Sequence, residues 1–187
     1  HVTGVQTCAL PIWKAFELAR TAAVVIACDA SASRLGRVIE TVERLGAPNV
    51  FPVVADARFP VVTRADAVLL DAPCTGTGTF RRHPDARWRL KPSDLAVMSA
   101  VQRALLNAAA AMVAPGGLLV YSTCSLEQEE NDAQGEAFLS DHPEFTLEPP
   151  PPGAVPDAAL DAGRLRVLPH VHGTDGAFAA RLRRRSA

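Results

Sequence analysis

Residues 67–84 read AVLLDAPCTGTGTFRRHP. Three apolar residues, Val68, Leu69 and Leu70, stop at Asp71, and the chain then passes through Pro73 and Cys74 into a Gly/Thr loop. A short apolar run cut off by an acid and a turn-forming loop predicts a buried strand that carries polar groups to the carboxyl edge of a sheet. Residues 117–124, GLLVYSTC, repeat the pattern and also end in a cysteine. Consecutive strands of such a sheet tend to be neighbours, so both sulfurs are expected on one stretch of its rim.

The rest of the chain alternates between strand and helix signals. Residues 15–20 close a helix, and residues 22–28 form an apolar strand with Asp29 at its end. Residues 33–45 place Leu35, Val38, Ile39, Val42 and Leu45 on one helical face, stopped by Gly46 and followed by Pro48. Residues 50–55 are a third strand, ending at Asp56. A long helix starts at Lys91-Pro92-Ser93-Asp94, with Ser93 as cap and Leu95, Met98, Val101, Leu105 and Ala109 as its apolar stripe. Pro115-Gly116-Gly117 is a turn into the second Cys-terminated strand. Residues 126–140 are a helix with an acidic start. Residues 148–156 are a proline-rich surface loop, and residues 165–168 and 177–182 pair as an antiparallel edge. This alternation predicts an α/β, doubly wound, Rossmann-like fold, mostly parallel with an antiparallel C-terminal edge. Three strands end in an acid, Asp29, Asp56 and Asp71, on the edge where such sheets bind ligands.

Composition narrows the function classes. At 187 residues the chain is one domain with room for a core, and 48% apolar content excludes a disordered chain. A net charge of -1 provides no global field toward nucleic acid, so any such contact must be local. No run reads as long and apolar enough to span a bilayer, and no signal peptide is evident; no membrane partner, a cytoplasmic location and a monomer are expected. The four cysteines, Cys8, Cys28, Cys74 and Cys124, fit neither a disulfide framework nor a metal spacing. Cys28, inside an apolar strand, is read as a small core residue. Cys74 and Cys124 sit among polar residues past strand ends, and Arg81 and Arg82 are expected nearby to favour thiolate.

DAPC at residues 71–74, TGTGTFRRHPDARW after it, and YSTCSLEQEEN at residues 121–131 resemble the RsmB/Nop2/Sun group of RNA cytosine-5 methyltransferases, in its bacterial 16S ribosomal RNA branch. The resemblance implies the S-adenosylmethionine-dependent methyltransferase fold, that donor as cofactor, and a cytosine in RNA, ribosomal RNA first, as acceptor and partner. Carbon 5 of cytosine is a poor nucleophile. A thiolate that adds to carbon 6 raises electron density there, splitting one hard step into easier ones. By resemblance Cys124 is that nucleophile, Cys74 helps resolve the adduct, and Asp71 sits between donor and base. Asp29 matches the acid that holds the donor's ribose and Asp56 the one near its adenine. The base must leave its stack to reach the thiol. The basic segment at residues 81–91, with Arg81, Arg82 and Trp88, is expected to hold RNA phosphate and a stacked base; the competing reading puts Trp88 in the core. Transfer RNA or another RNA is the alternative acceptor, and an inactive RNA- or protein-binding fragment the alternative class.

The pattern breaks at one place. Where the family has a Cys-Ala-Ala-Pro-Gly-Gly-Lys loop around the donor, residues 8–14 read CALPIWK. Lys14 matches, but Ile12 and Trp13 replace both glycines and are expected to crowd the donor. Two readings of the atypical residues 1–13 follow: a loop that has diverged and lost donor binding, or, the preferred one, foreign sequence before a catalytic domain at residues 14–187 that is incomplete at its N-terminus.

Overall fold

The computed structural model describes residues 12–186. Helix α1 (Ile12–Ala19) leads into strand β1 (Val25–Asp29). The strand begins three residues later than expected, because the Asn49 amide donates to the carbonyls of Ala19 and Ala22 (2.8 and 2.9 Å) and holds the preceding turn. Helix α2 (Ala32–Leu45) is capped by the Ser31 hydroxyl, which accepts from the Arg34 amide, and stops at Gly46, whose φ of 59° lets its N–H reach the last carbonyls. Leu35 and Val38 are buried as expected, whereas Ile39 and Leu45 are exposed. The buried stripe is thus narrower than the apolar one. Strand β2 (Val50–Val54) pairs in parallel with β1, from Val25 opposite Val50 to Asp29 opposite Val54.

Strand β3 (Ala65–Asp71) runs parallel to β4 (Val113–Thr123). Between them lie the short helix α3 (Ala86–Arg89) and the long helix α4 (Pro92–Met112). Ser93 is not the cap of α4: Lys91 is, Pro92 opens the first turn, and the Asp94 carboxylate accepts from the Lys91 amide at 2.9 Å. Contrary to the sequence reading, α4 is long and apolar enough to cross a membrane by length and composition. Its apolar residues Leu105, Leu106, Ala109 and Met112 are instead buried in the main core with Val68, Leu70 and Tyr121 of the sheet. The expected turn at Pro115-Gly116-Gly117 is an irregularity inside β4: Ala65 pairs Val113, Ala67 pairs Leu118, and Gly116 takes a φ of 74° between them.

After β4 come α5 (Asp132–Asp141), β5 (Phe145–Leu147), β6 (Leu160–Asp161), β7 (Arg164–Val167), α6 (Pro169–His172) and β8 (Ala177–Arg184). The sheet order is β3-β4-β8-β7-β6, and β5 also pairs with β8. The expected antiparallel pairing of residues 165–168 with 177–182 is present as β7 against β8, although β8 itself lies inside the sheet. Strand β8 lies antiparallel to β4 on one side, with β7 and β5 on the other, and buries Phe178, Ala180 and Leu182. The antiparallel part is correspondingly larger than expected. Among the described residues β1–β2 and the β3 sheet share no ladder, and Leu69 of β3 packs against the small core of Ala15, Val25, Ala27 and Leu35. The fold is α/β, with a mixed sheet whose C-terminal part is antiparallel.

Candidate active site

The parallel register puts Asp71 opposite Ser122, so both Cys-bearing turns leave the same rim. The Ala72 amide donates to the Ser122 carbonyl at 2.8 Å, extending the pairing by a residue. Beyond it, the Cys74 and Cys124 sulfurs are 3.4 Å apart. Cys124 is exposed and Cys74 half-buried, while Cys28 is buried. The Cys74 thiol as donor stabilises a thiolate on Cys124, whose pKa is pulled down to about 7; the Lys14 charge helps, and burial and the Asp71 charge oppose. The Cys74 thiol is pushed up in turn, by that same hydrogen bond and by burial. Arg81 and Arg82 do not supply the positive charge. Both face Asp175, and the cation near the sulfurs is Lys14.

Asp71 is fastened on two sides. Lys14 Nζ lies 2.5 Å from its Oδ1, and the Ser122 hydroxyl donates to the same oxygen at 2.9 Å. Lys14 thus joins α1 to the end of β3. Asp29 accepts from the Ser31 amide at 2.7 Å and from Arg34 at 2.9 and 2.6 Å. Asp56 is gripped in the same way by Arg58, which holds its carboxyl below the ordinary range. Both acids line one cavity of about 230 Å³, walled by Pro73, Val101 and Leu105. Pro73 connects that cavity to Cys74. Trp13 does not crowd it: the indole is 74% exposed and lines a separate cleft with Phe16, Leu45 and Pro48. Cys8 and Pro11 lie outside the described residues.

Two residues central to the geometry, Glu130 and Asn131, close the YSTCSLEQEEN motif but carry no role in the sequence reading beyond an acidic helix start. The helix over residues 126–140 is broken into a 3₁₀ turn (Gln128–Glu130) and α5. At the break Glu130 and Asn131 turn inward and are buried. Glu130 accepts from the Thr75 amide and hydroxyl, and Asn131 accepts from the Thr123 hydroxyl. The available signal was the acid-acid-amide run Glu129-Glu130-Asn131, which begins five residues past Cys124. Gly78 was likewise passed over. Its amide donates to the Cys124 carbonyl at 2.9 Å, and its own carbonyl accepts from Gly176 at 2.8 Å. Trp88 is 78% exposed, so the reading that puts it in the core does not hold; the Arg87 guanidinium lies 4.7 Å over its ring. It lies on α3.

Comparison with known proteins gives this geometry a context. A family profile described as 16S rRNA methyltransferase RsmB/F matches residues 5–183. The Ribosomal RNA small subunit methyltransferase B of Thermus thermophilus is 46% identical over 91% of this chain, which covers 42% of that protein. The probable enzyme of the same description from Bacillus subtilis is 36% identical over 98% of the chain, covering 43% of the relative. NSun6 from Pyrococcus horikoshii, solved with SFG, superposes with a TM-score of 0.84 at 33% identity, over 99% of this chain and 48% of that one. The chain thus spans less than half the length of these relatives. With nearly all of its own length matched, from the start of α1 through β8, it belongs to the RsmB/F family of 16S rRNA methyltransferases.

Proposed function

We propose that this chain carries the catalytic core of an enzyme that methylates carbon 5 of a cytosine in small-subunit ribosomal RNA. The observation that carries the reading is the 3.4 Å separation of the Cys74 and Cys124 sulfurs at one rim, beside Asp71 and Lys14. S-adenosylmethionine, when bound, supplies the methyl group as an electrophile. The cavity suits its adenosine half. It places Asp29, held by Arg34, at the ribose side and Asp56, held by Arg58, toward the adenine side, with Pro73, Val101 and Leu105 as an apolar wall.

Cys124, held near half-ionised at neutral pH, adds its thiolate to carbon 6 of the flipped cytosine. The new carbon–sulfur bond pushes electron density to carbon 5, which takes the methyl group. Cys74, once it has released its own proton to solvent, takes the carbon 5 proton; the freed electron pair re-forms the carbon 5–carbon 6 double bond and expels Cys124 as its thiolate. Cys74 is suited to assist that last step. What keeps its proton on first is the hydrogen bond to Cys124, and that acceptor loses its charge once Cys124 is a thioether. Asp71, fixed by Lys14 and Ser122, faces the pyrimidine edge from the neighbouring strand. Arg81, Arg82 and Trp88 supply exposed charge and an aromatic face for RNA.

Two measurements test this. Calorimetry with S-adenosylmethionine should detect binding; none at millimolar donor would defeat the reading. On a denaturing gel with donor and ribosomal RNA, Cys74→Ala should retain a slow covalent RNA adduct and Cys124→Ala none. Equal trapping by both variants refutes the assignment, and the reverse order makes Cys74 the attacking thiol.

A further inference from the structure

We propose that Glu130 and Asn131 are positioning residues: each brackets one of the two cysteines, and as neighbours in the chain they lock the two sulfurs at reacting distance. The proposal rests on the reading of Cys74 and Cys124 as the reacting pair. Cys74 is held from both flanks. Glu130 accepts from the Thr75 amide at 2.9 Å and from the Thr75 hydroxyl, on one side of it. On the other side, Gln102 donates to the Pro73 carbonyl at 2.8 Å and, from the same amide nitrogen, to Glu130 at 3.0 Å. Cys124 is held in the same manner. Asn131 accepts from the Thr123 hydroxyl at 2.6 Å and donates to the Ser125 carbonyl at 2.9 Å. Tyr121, fully buried in β4, donates to the Glu130 carbonyl at 2.6 Å and ties the clamp to the sheet.

The composition of this clamp is not what stability alone selects. Glu130 is 0% exposed, and among the described residues no lysine or arginine pairs with it. A buried carboxylate carries a large desolvation penalty, which hydrogen bonds to its oxygens only offset. A glutamine would fill the same space without the charge. What the carboxylate alone provides is acceptor capacity on both oxygens, used here for Thr75 and Gln102 at once. The break between the 3₁₀ turn and α5 is what lets consecutive side chains serve different strands.

The test reads the thiols directly on this chain and needs neither RNA nor donor. Iodoacetamide alkylation of Cys124 is followed against pH by mass spectrometry of its peptide. In every variant Lys14 and Asp71 remain as the charged groups facing that sulfur. The wild-type midpoint should lie near 7. In Glu130→Ala and in Asn131→Ala, with Cys74 or Cys124 released, it should rise toward about 8.5, the value of a free thiol. Diamide cross-linking of Cys74 to Cys124 should slow in both. Glu130→Gln, which keeps one carbonyl acceptor, should fall between and decides the matter if Glu130→Ala does not fold. Midpoints at the wild-type value in these variants overturn the proposal. So does an equal rise in Leu35→Ala, which loosens the separate small core of α2 and β1. A clamp that holds in a chain that methylates nothing would overturn the proposed function and leave this inference standing.

Discussion

Gly78 offers the sharpest check on the geometry of the site. A Cβ built on it would sit 2.6 Å from the Cys124 carbonyl oxygen, 2.8 Å from Gly176 Cα and 2.9 Å from the Gly176 carbonyl oxygen. All three are backbone atoms, so no side chain can rotate away, and Gly78→Ala must part the segments themselves. Forcing a methyl into a packed contact costs about 1–3 kcal/mol. The parting also weakens the Gly78–Cys124 and Gly176–Gly78 hydrogen bonds, each worth about 1 kcal/mol net. Together these give roughly 2–4 kcal/mol, or a Tm lower by about 5–15 °C for a domain of this size. Gly36→Ala is the matched control. It lies inside α2 with nothing within 4 Å of the added carbon, so the same chemical change should stabilise by about 0.5–1 kcal/mol. Urea and thermal unfolding followed by circular dichroism measure both. A Gly78→Ala variant within about 0.5 kcal/mol of wild type would refute the close approach, and the placement of the Cys124 turn with it.

Two further outcomes follow from the surface. Trp88→Ala should leave unfolding within about 0.5 kcal/mol of wild type, because the ring is exposed; a larger loss in a thermal melt would mean that it packs. Glu148 is held at about 2, down from an ordinary 4.5, first by its hydrogen bond to Arg183 and then by Arg181. A depressed folded pKa stabilises the protein above the unfolded value, and that contribution disappears as pH falls from about 4.5 through 2. The stability gap between wild type and Glu148→Gln should therefore shrink over that window in acid titrations of unfolding, and a gap that widens would contradict the pairing.

Much of the site was legible because it is written in short local patterns. An apolar run that ends in Asp71 or Cys124 can be read without knowing its neighbours. So can the stop of α2 at Gly46. The misreadings share a different origin. The apolar stripe of α2 was extended to Ile39 and Leu45 because periodicity shows which side chains are apolar, not which the fold covers. Ser93 looked like a cap, yet Pro92 had already started the helix one residue earlier. Residues 126–140 carry a helix-like composition, but Glu130 and Asn131 gain more from partners in the Cys74 and Cys124 turns than from continuing the helical ladder.

By itself, the order of residues determined that strands would end in acids and thiols on one edge of an α/β sheet, since the signals for each strand span fewer than ten positions. Only the tertiary structure decided which charges meet those groups. Lys14 reaches Asp71 across 57 positions of chain, and Cys74 meets Cys124 across 50, while the nearby arginines turn away to Asp175. Such encounters depend on the register of β3 against β4 and on how α1 and α5 pack beside them. No local pattern encodes them, because the energy that sets them is shared across the whole core.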